Sequence, residues 1–413
     1  MKEWQYYKLD ELGTVRRGRS RHRPRNAPHL YGGKYPFVQT ADIKAANLYL
    51  TSYTQTYSEA GLAQSKLWEP GTLCITIAAN IADTAILGIP ACFPDSVIGF
   101  TPYEGKSDAH YIKYYFDIFQ KTFQQISQGV TQDNLSAEKL LSMKIPVPPL
   151  PTQQKIAAIL SAYDDLIENN LKRIKLLEEM AQITYEEWFV RMRFPGYESV
   201  PIETTGLPEG WEVKAISTIC DVNKTSISTR NTPEKIRYID ISSAETGSYS
   251  APLEMAFSEA PSRARRRLAF GDTIFSTVRP NRRVYSLILE DDPLLVASTG
   301  FAVLTPHQHH NFPFIYLTID QQSFTDAAVA VAGGAAYPAV NQTDFERIKI
   351  MIPTAALMKK FSDMCAPYFI LKSQLLRENM LLKEARDILL PRLMTGVIDV
   401  ENYNPADLLK EVA

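Results

Sequence analysis

Along this chain the spacing of apolar residues changes from a strand-like to a heptad-like rhythm, and then does so again in the same order. Short apolar-rich runs bounded by turn residues, among them PFVQT, LCITI, DTIFSTV, LLVAST and KIPVP, predict strands. HYIKYYFDIFQKTFQQIS, residues 110–127, predicts a helix between them. Each strand-rich region is followed by a long helical stretch. The first is expected over residues 152–192, after the helix-breaking PVPPLP and before Pro195-Gly196. Leu160, Ile167, Ile174, Ala181 and Trp188 recur at one heptad position, and Tyr163, Asn170, Leu177 and Thr184 at the other. The second is expected over residues 354–395, with Phe361, Met364, Tyr368, Leu371, Leu375, Leu382, Ala385 and Leu389 on its seam. Pro367 is expected to kink or interrupt this helix, and Pro391 to disturb its end. Helices of this size span about 60 Å, and two of them are best buried against each other. Asn170 either fixes their register or is a helix-surface asparagine; the pattern leaves both open.

The two rhythms belong to a duplicated chain. Aligning Trp4 with Trp211 brings Leu9 onto Ile216, Leu12 onto Ile219 and Val15 onto Val222. YPFVQTADI (35–43) then matches IRYIDISSA (236–244), and GTLCITIAAN (71–80) matches GDTIFSTVRPN (271–281). Phe100 matches Phe301, and LLSMKIPVP (140–148) matches FERIKIMIP (345–353). One order and nearly one spacing across these blocks mean two tandem copies of one domain. The expected architecture is α+β. Two mostly-β domains, 1–150 and 196–353, are separated by a pair of long antiparallel coiled-coil helices, 151–195 and 354–396, in a pseudo-twofold arrangement. Residues 397–413 form a C-terminal tail.

A length of 413 residues, 45% of them hydrophobic and 22% charged, fits a soluble protein of two or three domains. No apolar run approaches a membrane span, and KEWQYYKLDELG after Met1 has no signal-peptide core, so the cytoplasm is expected. Cys74, Cys92, Cys220 and Cys365 are scattered, as expected of reduced thiols. The formal charge of −2 conceals clustering. RRGRSRHRPR (16–25) has six arginines and no acid; residues 263–283 have seven arginines against Asp272 alone. Two such clusters in a repeated domain point to a phosphate-tracking surface. QGVTQDNLS (128–136) and the uncharged GGAAYPAVN (333–341) occupy related places in the two copies. They are either tight β-connections or loops that approach a duplex through Gly129 and Gly333-Gly334.

Chemistry of other kinds is not indicated. There is no GxxxxGK[ST] loop for a nucleotide. NPADLL (404–409) lacks the second proline and the aromatic of an amino-methyltransferase motif. Glu212-Val213-Lys214 has nuclease-like spacing, but the other copy has Gln5 and Tyr7 there. HQHH (307–310) has no cysteine or acid nearby at metal-ligand spacing. No cofactor or metal is expected.

Taken together, the residues resemble a known family over essentially the whole chain. The stretch IPVPPLPTQQKIAAILSAYDDLIENNLKRIKLLEEMAQITYEEWFVRMRFPG, with PSRARRRLAFGDTIFSTVRPNRR, GGAAYPAVN and LLPRLMTG, is similar to the specificity subunit of type I restriction–modification systems. The resemblance implies two target-recognition domains that read a bipartite site on double-stranded DNA. It implies that the paired helices set the gap and dock two adenine-N6 methyltransferase subunits, with motor-nuclease subunits joining for cleavage. It also implies a chain without a catalytic centre. Copy one has IAAN (77–80) where copy two has VRPN (278–281), so different bases are expected to be read. The second helix starts TAALMKK, unlike the TQQK of the first.

The expected DNA contacts in copy one are Arg16, Arg17, Arg19, Arg21, Arg23 and Arg25, mostly to phosphate, with Gln39, Thr40, Asn80, Thr131, Gln132 and Asn134. Those in copy two are Arg263, Arg265, Arg266, Arg279, Asn281, Arg282, Arg283 and Tyr337. Asp240 and Ser242 are read as internal turn hydrogen bonds. The spacer and partner contacts fall on Leu160, Ile167, Ile174, Leu177, Trp188, Phe361, Tyr368, Leu375, Leu382 and Leu389. Two other classes compete: a coiled-coil scaffold without DNA readout, and a free-standing site-specific DNA-binding regulator.

Overall fold

A computed structural model describes residues 4–78, 82–128, 137–334 and 338–401. The chain divides into two compact units, residues 1–170 with 378–413, and residues 171–377.

In the first unit, the alternating apolar runs form a five-stranded sheet. Its spatial order is Gly13–Arg17, Val97–Pro102, Leu73–Thr76, Thr84–Leu87 and Tyr49–Leu50. The Tyr49–Leu50 pairing is parallel and the others are antiparallel. Leu73–Thr76 is buried on both faces, which is why its sequence LCIT is apolar without alternation. Helix Ala109–Gln128 covers this sheet with Tyr111, Ile112, Tyr115 and Phe116. The second unit repeats the plan. Cys220–Val222, Phe301–Pro306, Thr273–Ser276 and Tyr285–Leu287 lie side by side in the corresponding order. A second four-stranded sheet, Leu253–Ala256, Lys235–Ile239, Leu295–Ser298 and Ala264–Arg267, has a reduced counterpart in copy one, where Tyr31–Phe37 pairs with Gln55–Tyr57 and single bridges join Phe37 to Cys92 and Trp68 to Ala91. Both copies close the same way: Gln5–Lys8 pairs with Lys144–Val147, and Glu212–Ala215 with Lys349–Ile352. The strand that opens each domain is thus stitched to the strand that leads into its long helix.

The first long helix is α-helical over Leu150–Tyr185, with Pro151 in the first turn where a missing N–H costs nothing, and continues as a π-turn over Glu186–Val190. The second runs over Ala355–Met394 without interruption. This corrects the expectation for Pro367. Its ring lies on the exposed side of the helix, where water can satisfy the freed carbonyl. Pro391 stands in the last turn, and its carbonyl accepts from the Thr395 N–H at 3.1 Å.

The first seam is buried as expected at Leu160, Ile167, Ile174, Ala181 and Trp188. Leu177 is half-buried. On the second helix Phe361 and Leu375 are buried, and Tyr368, Leu382 and Leu389 half-buried, but Met364 is exposed. The companion seam position there is Met358, Cys365, Lys372, Asn379, Arg386 and Leu393, a heptad repeat whose middle three members are polar. A search for apolar recurrence passes over it. Each polar member is answered from the first helix: Arg386 by Asp164 and Asn379 by Asn170 (3.0 Å) in the first unit, and Lys372 by Glu178 in the second. Partner numbers run in opposite directions within each unit, Asp164 with Arg386 and Asn170 with Asn379 in the first, and Glu178 with Lys372 and Trp188 with Phe361 in the second, so the helices are antiparallel. Asn170 is buried on the seam rather than on the surface.

Val400, at the start of the expected tail, is buried in the first unit's core, and the Lys155 ammonium donates to the Glu401 carbonyl at 2.8 Å. Among the described residues no helix is long and apolar enough to cross a membrane. All four cysteines are free and buried, and burial pushes the Cys365 thiol up to about 12.

Candidate nucleic-acid interface

The richest surface lies in copy two, where strands Thr273–Ser276 and Tyr285–Leu287 are joined by the turn that carries VRPNRR. Pro280 opens a single 3-10 turn, Pro280–Arg282, and the residues on either side, Arg279 and Arg283, are left-handed at φ +51° and +54°. A non-glycine residue in that region costs on the order of 1–2 kcal/mol, so the turn must be held from outside. The uncharged GGAAYPAVN stretch holds it. The Arg279 N–H donates to the Pro338 carbonyl at 2.8 Å, and the Val340 N–H donates to the Thr277 carbonyl at 2.9 Å. Gly333 and Ala339 exchange a pair of backbone hydrogen bonds at 3.0 and 2.9 Å, with Gly334 at φ +97° between them. The described ends of the stretch, residues 333–334 and 338–341, are thus bonded to each other and laid against the arginine turn, and Asn341 caps helix Gln342–Glu346. Tyr337 lies outside the described residues.

More of the expected residues converge on this rim. The Thr277 N–H donates to the Gly300 carbonyl, and the neighbouring Thr299 N–H donates to the Arg263 carbonyl at 2.8 Å. Gly300 is covered by the end of the Ile241 side chain, whose Cδ1 would stand 2.2 Å from an added Cβ. That contact brings in the segment with Asp240 and Ser242. Their side chains bond each other at 3.1 Å, and Ser243 donates to the Asp240 carbonyl.

The arginines of copy two divide by their surroundings. Arg263, Arg282 and the adjacent Asn281 are exposed. Arg283 is turned inward, donating to Gln322 Oε1 at 2.9 Å and to the Asp320 carbonyl at 2.5 Å. Arg265 stacks over Phe257, 4.9 Å from the ring centre, and donates to the Ala264 carbonyl. Arg266 donates to Ser226 Oγ at 3.1 Å, and burial lowers its pKa. Arg265 and Arg266 sit on Ala264–Arg267, the outermost strand of its sheet, which has a bulge and whose outer edge is covered by residues 225–227 through bonds to the Arg265 carbonyl and the Arg267 N–H.

In copy one, Arg16 and Arg17 occupy the edge strand Gly13–Arg17, and Arg19 and Arg21 follow it; all four are exposed. Arg25 forms a two-pronged pair with Asp95, both contacts at 2.9 Å, and Arg23 donates to the Ser20 carbonyl at 2.7 Å. Gln39 is spent locally: it caps helix Thr40–Ala45 and donates to Gln55 Oε1 at 2.9 Å. Thr40, half-buried, is that helix's first residue. Asn80, Thr131, Gln132 and Asn134 lie outside the described residues.

Lys66 joins the copy-one group, and the sequence reading missed it. Its ammonium sits 3.6 Å from the centre of the Trp68 ring. That ring packs on Gly99, where an added Cβ would be 2.6 Å away, and Gly99 is the strand partner of Arg16. The preceding Ser65 donates to the Arg19 carbonyl at 2.8 Å. Burial, and then the positive charges of Arg16 and Arg19, lower the Lys66 pKa. A single lysine in KLW carries no pattern; only the packing of Trp68 reveals its company.

The acid-lysine pair and the histidine run meet local partners. Glu212 and Lys214 pair with each other on the closing strand. His307 faces Asp221 at 3.2 Å, and His309 faces the Phe270 carbonyl at 3.0 Å. Among the described residues no three His, Cys, Asp or Glu side chains are grouped to hold a metal.

Comparison with known proteins agrees with this geometry. The curated MjaIX type I restriction enzyme specificity subunit of Methanocaldococcus jannaschii is 25% identical, over 97% of this chain and 94% of its own. The HindI type I specificity subunit of Haemophilus influenzae is 23% identical over 66% and 72%. The crystal structure of the type I restriction-modification S subunit from M. genitalium covers 94% of this chain and 96% of its own, with a TM-score of 0.61 at 14% identity, and so shares the fold. Residues 1–179 and 208–362 match the family described as the type I restriction modification DNA specificity domain, and the chain belongs to that family.

Proposed function

We propose that this chain, a specificity subunit of a type I restriction-modification system and itself non-catalytic, reads a bipartite sequence on double-stranded DNA, one half with each strand-rich domain. The observation that carries this reading is the rim of copy two. There a strained arginine turn, the described ends of the glycine-containing stretch and exposed Arg263, Asn281 and Arg282 are brought together by backbone hydrogen bonds. Rigidly presented guanidinium and amide groups are what base edges and phosphates are read with. In copy one the basic surface is the edge carrying Arg16, Arg17, Arg19 and Lys66, at a different place in the repeat.

Two adenine-N6 methyltransferase subunits dock along the long helices, and motor-nuclease subunits complete the cleaving complex in the cytoplasm. In support, Leu176, Met180 and Ile183 form a stripe on the first helix that is 57%, 48% and 60% exposed. This is apolar surface beyond what the helix pair buries.

The test is a map of N6-methyladenine in cells that express this chain with its methyltransferase, against cells lacking the chain. One two-part motif with a fixed gap, lost without the chain, is the expected result. No chain-dependent motif despite binding of the methyltransferase would leave a scaffold. Tight specific DNA binding that needs no methyltransferase would leave a free-standing regulator.

A further inference from the structure

The polar layers of the helix pair are costly, and one of them reaches beyond the helices. Asp164, on the first long helix, has no exposed side-chain surface, yet it is a carboxylate. Arg386 of the second helix pairs with it. The Tyr114 hydroxyl donates to Oδ2 of Asp164 at 2.6 Å, and the Asn47 amide donates to Oδ1, the oxygen that Arg386 also uses, at 3.3 Å. Tyr114 belongs to the helix that covers the five-stranded sheet, and Asn47 stands just before Tyr49–Leu50, the edge strand of that sheet. Arg386 is held in turn by Asp387 at 2.8 Å. One buried carboxylate of the first long helix thus receives donors from the second long helix and from two separate elements of the first recognition domain.

Stability alone does not account for this. An apolar layer would hold the helices at least as well, since removing charges from water offsets most of what a buried pair gains. Hydrogen bonds differ from apolar contacts in being directional, and their strength falls steeply with small displacements. Convergence on Asp164 therefore fixes how far along the helix, and at what rotation, the domain sits. The scale is relevant to DNA. A slip of one residue along a helix moves a domain by about 1.5 Å, and one base pair of gap is about 3.4 Å.

We infer that Asp164, with Tyr114, Asn47 and Arg386, is a positioning cluster that sets the first recognition domain on the spacer helices and so enforces the gap length of the recognised site. The inference rests on the bipartite reading above.

Tyr114→Phe is the first test, because it removes one hydroxyl and leaves the core side chain in place; Asp164→Asn is the second. Each full-length variant is co-expressed with the methyltransferase, and its methylation map is compared with that of the parent chain. Folding is checked by circular dichroism. The expected result is unchanged bases in both halves, with methylation at gaps one base pair longer or shorter rising about tenfold, the change in an equilibrium constant that corresponds to about 1.4 kcal/mol. If both folded variants keep a single gap, or lose methylation evenly at the parent's sites, the cluster is only structural and the inference is overturned. A parent map without a two-part motif would instead refute the bipartite reading, and the inference with it.

Discussion

Asp272 is the single acid within the arginine-rich segment of copy two, and replacing it with asparagine tests what that acid does. It does not neutralise the arginine surface. The residue is only 3% exposed, its Oδ2 accepts from the Ala269 N–H at 2.8 Å, and its Oδ1 accepts from Thr305 Oγ1 at 2.7 Å. It holds the turn into strand Thr273–Ser276. Burial pushes its pKa up from 3.8 to about 6, against the opposing effect of those hydrogen bonds. In the unfolded chain the group loses its proton near 3.8, and in the folded chain near 6. Well below pH 3.8 both states are protonated and there is no penalty. As pH rises to 6 the unfolded state ionises first and stability falls. Above 6 the full cost, about 3 kcal/mol, is carried. In Asp272→Asn the amide oxygen still accepts from Ala269, and the amide N–H donates to the Thr305 hydroxyl, so the turn survives without the charge. Hydrogen exchange of the Thr273–Ser276 amides, variant against parent at the same pH, should show a gain in protection that grows from pH 4.5 to 7. A difference that stays flat with pH, or loss of protection at every pH, would refute the reasoning.

Other outcomes follow from the same geometry. Arg279→Ala should weaken specific DNA binding by about 1–3 kcal/mol and relax one base position, read from binding to single-substitution target libraries. Arg283→Ala, which breaks inward bonds to Gln322 and Asp320, should instead lower the folding stability of the second unit by about 1–3 kcal/mol, seen in local hydrogen exchange. Lys66→Ala should reduce the salt slope of DNA binding by about one without changing the recognised bases. Asn379→Leu removes the acceptor used by Asn170 and should cost about 1–3 kcal/mol; leucine at both positions should recover that loss or more, because an apolar pair replaces a polar one whose Asn379 Nδ2 has no partner. Urea midpoints of the three chains decide it, and a double variant less stable than the single one would count against this account.

Whatever repeats or recurs along the chain could be read from it directly. The tandem copies, the closing strands and the buried first seam from Leu160 to Trp188 are all legible, because strand alternation and heptads arise from backbone geometry that is local in the chain. The basic clusters were legible too, but not the division of labour within them. Arg282 faces solvent and Arg283 faces Gln322, although the two are adjacent and alike. Local sequence does not encode that difference, which comes from a partner 39 positions away. The second seam was misread at Met364 for a related reason. Lys372, Asn379 and Arg386 look like surface residues until Glu178, Asn170 and Asp164 are brought opposite them. Tertiary structure alone decided that GGAAYPAVN braces the arginine turn, that Lys66 belongs with Arg16 and Arg19, and that Asp164 ties a domain to its spacer. Each depends on partners distant in the chain, whose meeting is fixed by the packing of the whole unit rather than by any pattern among neighbours.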